Sequence, residues 1–110
     1  MISEKHKLIL FFIASDPGGK NIHRMIMVFD RADFPFHLGQ HLAALLEHQL
    51  IHVTRKDSND NPIAYEATVA GLNYIDDHID EQELLTYVRS MQNPDFLLEL
   101  MQAIIKRRKN

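Results

Sequence analysis

The sequence predicts one mostly helical α+β domain in which a two-stranded hairpin follows three helices. Apolar residues recur with the helical period between Ile22 and Leu46, and the period changes to two after Leu50. The chain has 110 residues, of which 45% are hydrophobic, so it can bury a core without disulfides or metals. It contains no cysteine, which excludes thiolate metal sites and cysteine nucleophiles and fits a reducing compartment.

The first predicted helix is the apolar run of residues 8–14. Ser3 is placed to cap its start, and the Pro-Gly-Gly turn at residues 17–19 is placed to end it. The run also resembles a secretory leader, but Glu4 in front of it and the lack of a small-x-small cleavage site favour a buried helix. No run approaches the roughly 20 apolar residues of a membrane span.

The second predicted helix follows that turn. Its apolar side chains recur at i, i+3, i+4 and i+7 and form one face: Ile22, Met25, Ile26 and Phe29. We expect this helix to end within residues 30–33, because Phe34 precedes Pro35 and a residue before proline avoids the helical conformation. Pro35 then suits the first turn of a third helix.

The third helix is predicted over about residues 35–49 and has two distinct faces. The core face consists of Leu38, Leu42, Leu45 and Leu46. The opposite face carries His37, Gln40, His41, Ala44 and His48. Gly39 and Ala43 lie one turn apart, so we expect the second helix to approach closely there, as in a helix-turn-helix.

The period of two after Leu50 predicts two strands, near residues 51–54 and 63–68. Residues 56–62 between them are rich in turn formers and include no hydrophobic residue. The tip of this hairpin is therefore expected to be exposed and mobile.

Two short motifs carry a family resemblance. Residues 65–71, Tyr-Glu-Ala-Thr-Val-Ala-Gly, match the pattern Y-x-x-T-x-x-G. Residues 45–51, Leu-Leu-Glu-His-Gln-Leu-Ile, look like L-E-x-x-G-L-I, with Gln49 at the glycine position that ends the helix in a left-handed turn. With these motifs, residues 6–80 resemble the PadR-like and MarR-like winged-helix transcriptional regulators.

The resemblance implies a winged helix-turn-helix domain over residues 1–80, with a two-stranded wing at residues 51–68 and extra C-terminal helices at residues 81–110. It also implies a homodimer on double-stranded DNA, with the recognition helix in the major groove and the wings on the flanking backbone. The residues implied as DNA contacts are Lys20, Arg24, His37, Gln40, His41, Ala44, His48, Arg55 and Lys56. The four basic side chains would meet phosphates, and the others would face the groove.

The charge pattern weakens that expectation. The net charge is −3, and no Lys or Arg lies between Phe36 and Ile51, so strong guanine readout is not expected. Asp57 and Asp60 at the hairpin tip would repel phosphates unless the tip points away. Any DNA face therefore belongs to residues 1–56, where basic residues outnumber acidic ones.

Three interpretations of the histidines remain open. His37, His41 and His48 share one helix face. Two imidazoles four residues apart can share a metal, although no third ligand is evident nearby. Alternatively, protonation near about pH 6.5 would raise DNA affinity on acidification. We favour the third interpretation, exposed polar side chains, and predict no metal and no cofactor.

The C-terminal third is predicted to be helical. After Gly71 a fourth helix carries an acidic run, and Asn93-Pro94-Asp95 starts a strongly apolar last helix. Such a helix either closes over its own core or packs against its copy in a dimer, and we expect the second. The expected dimerisation residues are Leu84, Leu85, Val88, Phe96, Leu97, Leu100, Met101 and Ile104.

No motif in the chain predicts catalysis. None of the four serines lies in a G-x-S-x-G context, and residues 17–20 lack the spacing of a phosphate-binding loop. We therefore expect a cytoplasmic, dimeric, DNA-binding transcriptional regulator that is not an enzyme. The alternative is a winged-helix protein–protein interaction module without DNA binding. The sequence identifies neither an operator nor a small-molecule effector.

Overall fold

The computed structural model describes residues 2–16, 20–31 and 38–109. Within them the elements run in this order: α1 (Glu4–Ser15), α2 (Ile22–Arg31), α3 (Leu38–Glu47), β1 (Ile51–Lys56), β2 (Pro62–Ala67), α4 (Val69–His78), α5 (Glu81–Arg89) and α6 (Asp95–Lys109). This order confirms the mostly helical α+β class with a two-stranded antiparallel hairpin. None of the described helices is long and apolar enough to cross a membrane.

Helix α1 lies at the centre of the molecule. Its residues 8–13 are fully buried, which means that every side of the helix is covered. α3, α4, α5, α6 and β2 all pack against it. Ser3 caps its start as predicted, and Asp16 follows its last turn; the predicted turn at residues 17–19 lies outside the described residues.

Helix α2 packs against β2 and α6. Its buried face is rotated from the predicted one, because Val28 is buried whereas Ile26 is 36% exposed. Met25 and Phe29 are buried as predicted. The described part of the helix reaches Arg31, and the residues that follow lie outside the described chain, so the end predicted within residues 30–33 stays a prediction.

Helix α3 buries one stripe only. Leu38, Leu42 and Leu45 are buried as predicted, and Leu46, the fourth residue of the predicted face, is half-buried against the same core. The expected close approach of α2 at Gly39 and Ala43 is wrong. Both residues are exposed, and a Cβ added to Gly39 would meet no other described residue within 4 Å. The reason is that α3 turns its leucine face towards α1, so its small residues point to solvent. The predicted start of this helix at Pro35 lies outside the described residues.

Strands β1 and β2 pair antiparallel, with Ile51 opposite Ala67 and Val53 opposite Tyr65. A third segment, which the sequence did not predict, joins β2 on its other edge. Asn21 forms a single bridge with Ala64, and the Tyr65 N–H donates to the Lys20 carbonyl at 2.8 Å. The segment that leads into α2 is thereby hydrogen-bonded to strand β2 of the hairpin.

The C-terminal helices belong to the same core as the rest of the chain. Thr68 caps α4, Asp80 caps α5, and α6 begins at Asp95 as predicted. α5 and α6 pack against each other and against α1, and α6 also packs against α2. Their buried side chains join one hydrophobic cluster with those of α1 and α3.

Candidate nucleic-acid interface

A left-handed turn ends α3 and directs the chain into the hairpin. Gln49 has a φ of 60°, the conformation that glycine adopts most easily. The N–H groups of Gln49 and Leu50 donate to the carbonyls of Leu46 and Leu45, each at 3.0 Å. This pair of hydrogen bonds is the Schellman pattern that satisfies the last carbonyls of a helix. The position predicted to be left-handed from the motif is therefore left-handed, although its side chain is glutamine.

Residues of the Y-x-x-T-x-x-G motif join the start of α4 to the turn at Gln49 and Leu50 through hydrogen bonds. The Thr68 hydroxyl donates to the Gln49 carbonyl at 2.7 Å and accepts the Gly71 N–H at 3.0 Å. The Thr68 N–H donates to the Leu50 carbonyl at 3.0 Å. Gly71 lies so close that an added Cβ would be 2.1 Å from the Leu50 oxygen. The motif thus fixes where the end of α3 and the hairpin lie relative to α4.

The outer face of α3 is polar and small. Gln40, Ala43 and Glu47 are exposed, as is His48 just after the helix. Ala44 is half-buried, and the predicted contact residue His37 lies outside the described residues. The described part of α3 contains no lysine or arginine, so this face offers hydrogen bonds and close approach rather than positive charge.

His41 faces α1 rather than the outer side of α3. It is half-buried, its Nε2 atom is buried, and its ring meets the ring of His6 edge-on at a centroid distance of 4.8 Å. Sequence reasoning did not select His6, because this contact joins two distant helices.

Two of the four basic residues expected at phosphates are paired within the molecule. Lys20 Nζ lies 2.6 Å from a carboxylate oxygen of Glu66, and this hydrogen bond holds the pKa of Glu66 below its usual range. Arg24 donates to both carboxylate oxygens of Asp16, at 3.2 and 3.4 Å. Asp16 is only 3% exposed, so Arg24 neutralises a buried charge. Neither partner was recognised from the sequence.

The hairpin carries cations that are exposed and less closely paired than Lys20. Arg55 is exposed and makes no ion pair with another described residue, and the strand register shifts on either side of it. Lys56 is also exposed and lies 3.5 Å from Asp60, a weak surface pair. Both side chains are therefore accessible to an anionic partner.

The tip of the hairpin is exposed, as predicted, and it is closed by hydrogen bonds around Asp57. The N–H groups of Asn59 and Asn61 donate to one carboxylate oxygen of Asp57 at 2.8 and 2.9 Å. The hydrogen bond from Asn61 is the main reason that the pKa of Asp57 lies below its usual range. The acidic tip therefore stays charged, and it points a negative group into solvent.

Most of the residues expected to dimerise lie in the core of the single chain. The buried ones are Leu84, Leu85, Val88, Leu97, Met101 and Ile104. Phe96 is 37% exposed and Leu100 is half-buried. The C-terminal helices thus close over their own core, and Phe96 and Leu100 are the members of the expected set that retain surface for a partner. The homodimer stays a prediction.

Arg108, one of the C-terminal basic residues, packs back onto the rest of the molecule. The Arg108 guanidinium lies 5.0 Å from the centre of the Phe11 ring and donates to the Ser15 hydroxyl at 3.2 Å. It also lies within 3.8 Å of Asp76 and 3.7 Å of Glu81. This arginine therefore joins α6 to α1, α4 and α5.

No group of three or more potential metal ligands is assembled among the described residues. The sequence matches no protein-family model, and it is similar at a significant level to no curated protein and no solved structure. The resemblance to winged-helix regulators consequently rests on the motifs and geometry of this chain alone.

Proposed function

We propose that the chain is a winged helix-turn-helix protein that binds double-stranded DNA, with α3 in the major groove and the β1–β2 hairpin on the flanking backbone. The order of elements supports the fold: α1, a single-bridge strand at Asn21, α2, α3 and then a hairpin. A helix presented beside a wing is the arrangement by which such domains engage DNA.

The observation that carries the proposal is the one-sided burial of α3 next to the exposed cations of the hairpin. Leucines hold α3 to α1, whereas the face bearing Gly39, Gln40 and Ala43 is open to solvent. Small side chains allow a close approach to base edges, and a glutamine can make two hydrogen bonds to adenine. Arg55 and Lys56 begin the turn of the hairpin, where they would meet phosphates.

The same geometry predicts weak binding with a shallow salt dependence. Lys20 and Arg24 are held by carboxylates, so few cations remain to displace the counterions of DNA. With about two phosphate contacts per protomer, the slope of log K against log salt would be about −2.

A second function is favoured by the acidic groups around this surface. Glu47, Asp57 and Asp60 are all exposed on α3 and the hairpin tip, and each would repel a phosphate. The chain would then be a winged-helix protein–protein interaction module that does not bind DNA.

Fluorescence anisotropy of a labelled random-sequence duplex, measured between about 50 and 200 mM salt, separates the two functions. DNA binding predicts affinity that falls with salt and that is lost in the double variant Arg55→Glu/Lys56→Glu. The matched control is Arg89→Glu/Lys106→Glu, which changes the net charge equally on exposed positions of α5 and α6. Absence of binding at the lowest salt would favour the interaction module. Equal losses in both double variants would exclude the hairpin contact.

A further inference from the structure

Imidazoles join the start of α1 to α3. The rings of His6 and His41 are half-buried and meet edge-on, with an angle of 75° between their planes. His48, just after α3, is close enough for its charge to act on His6. No other part of the described chain brings histidines of two helices into ring contact.

His6 also completes the capping box of α1. The Ser3 N–H donates to His6 Nδ1 at 3.1 Å, and the His6 N–H donates to the Ser3 hydroxyl oxygen at 3.3 Å. Capping boxes normally carry Glu or Gln at the position that His6 occupies. An imidazole can accept at Nδ1 only while that nitrogen is unprotonated, so this cap requires neutral His6 with its proton on Nε2.

We propose that His6 is a pH-sensitive joint between the start of α1 and α3, which loosens when the imidazole takes up a proton at Nδ1. The proton comes from solvent and converts Nδ1 from an acceptor into a donor. The Ser3 N–H then loses its partner, and half of the capping box is lost, because the new Nδ1–H can only donate, to the Ser3 hydroxyl oxygen 3.1 Å away. The new positive charge also lies beside His41 and at the positive end of the α1 dipole.

Among the described groups near His6, none with a negative charge is a cause of its pKa shift. On α1, Glu4 is paired with Lys7 at 3.5 Å, and Lys5 is a second cation. The facing groups are His41 on α3 and His48 just after it, both of which can only add positive charge. On α5, Glu83 and Tyr87 line a cleft together with Glu4. Burial and then the negative charge of Glu4 raise the pKa of Tyr87.

Burial, followed by the charge of His48, holds the pKa of His6 below the ordinary histidine value. The unfolded chain therefore binds more protons than the folded one between the lowered pKa and about 6.5. Stability is fully present above about pH 6.5 and falls as the pH drops through the pKa of folded His6. The effect concerns the packing of α3, so it holds whether or not α3 binds DNA.

Imidazole ¹⁵N NMR of the full chain tests the proposal directly. We expect His6 Nδ1 to be unprotonated at about pH 7.5, its titration midpoint to lie below about 6.5, and the Ser3 amide shift to follow the same midpoint. A midpoint at or above the ordinary histidine value, or a Ser3 amide that does not respond, would overturn it.

Urea denaturation at about pH 7.5 and about pH 5.5 gives the second measurement. His6→Gln keeps a side chain that completes a capping box but does not titrate, and His23→Gln on α2 is the matched exposed control. Between the two pH values, the folding equilibrium constant should fall in all three proteins. The fall should be about fivefold larger in the wild type and in His23→Gln than in His6→Gln, which is the loss expected for one helix cap. An equally steep fall in all three proteins would contradict the joint, and if His6→Gln does not fold, the NMR titration decides.

Discussion

Helices α1 and α3 pack against each other, yet they differ in how much of their surface the molecule covers. Residues 8–13 of α1 are buried in an unbroken run, whereas α3 buries only a stripe of leucines. A helix covered on every side can contribute only to stability, while a helix covered on one side presents the other to a partner. The comparison therefore separates the framework of this protein from the surface at which its function is expected.

The largest effect is expected in α1. Phe12 is fully buried, and its ring meets that of Phe29 on α2 edge-on at a centroid distance of 5.5 Å. Phe12→Ala would therefore leave a cavity between α1 and α2. Substitutions of this kind cost about 3–5 kcal/mol of unfolding free energy. Urea denaturation of Phe12→Ala should therefore show a much lower midpoint than that of the wild type.

The matched substitution on α3 is Gln40→Ala, at an exposed position of the open face. It removes no buried contact, so its effect on unfolding free energy should lie within about 0.5 kcal/mol. Similar losses in the two variants would mean that the outer face of α3 is covered, and the distinction between the two helices would fail.

Two glycines provide an intermediate effect and sharpen the comparison. A Cβ on Gly71 would lie 2.1 Å from the Leu50 carbonyl oxygen, and because that atom belongs to the backbone, the turn after α3 would have to move. Gly71→Ala should cost about 2–3 kcal/mol. A thermal melt would show the loss as a lower Tm.

Gly39→Ala on the open face of α3 is its control. Within the described part of the chain a Cβ there meets nothing within 4 Å, and alanine is the better helix former, so the same substitution should stabilise the protein by up to about 1 kcal/mol. If Gly39→Ala were the more damaging of the two, α3 would have to be packed on the side that the structure leaves open.

Local signals made much of the fold predictable from the sequence. Ser3 caps α1, Asn93 and Pro94 directly precede α6, and the leucine spacing placed Leu42 and Leu45 of α3 in the core. These features depend on neighbours within one or two helical turns, so a sequence displays them directly.

Contacts between distant segments were not predictable in the same way. Lys20 pairs with Glu66, 46 residues away, and nothing in either sequence context indicates the other. The single bridge at Asn21 is too short to show a strand period. Gly39 faces solvent because α3 packs against α1, a choice of neighbour that helical periodicity leaves open.

A small gain in stability is expected where α3 passes into the hairpin. Gln49 holds a φ of 60° in the Schellman turn, and a side chain costs about 1–2 kcal/mol in that conformation. A glycine at this position would lose more freedom on folding, so the net gain from Gln49→Gly should be about 1 kcal/mol of unfolding free energy. Asp60→Gly is the natural comparison, because Asp60 has a similar φ of 65° at the hairpin tip.

The gain should be smaller at Asp60 for two reasons. Aspartate tolerates the left-handed region better than glutamine, and Asp60→Gly also removes the pair with Lys56. Urea midpoints of the two variants measure the difference. No gain at Gln49 would mean that the turn after α3 is not under strain, and that the missing glycine of the L-E-x-x-G-L-I pattern costs this chain nothing. A gain at Gln49 would instead show that the junction between α3 and the exposed hairpin keeps the geometry that the motif encodes, even without its glycine.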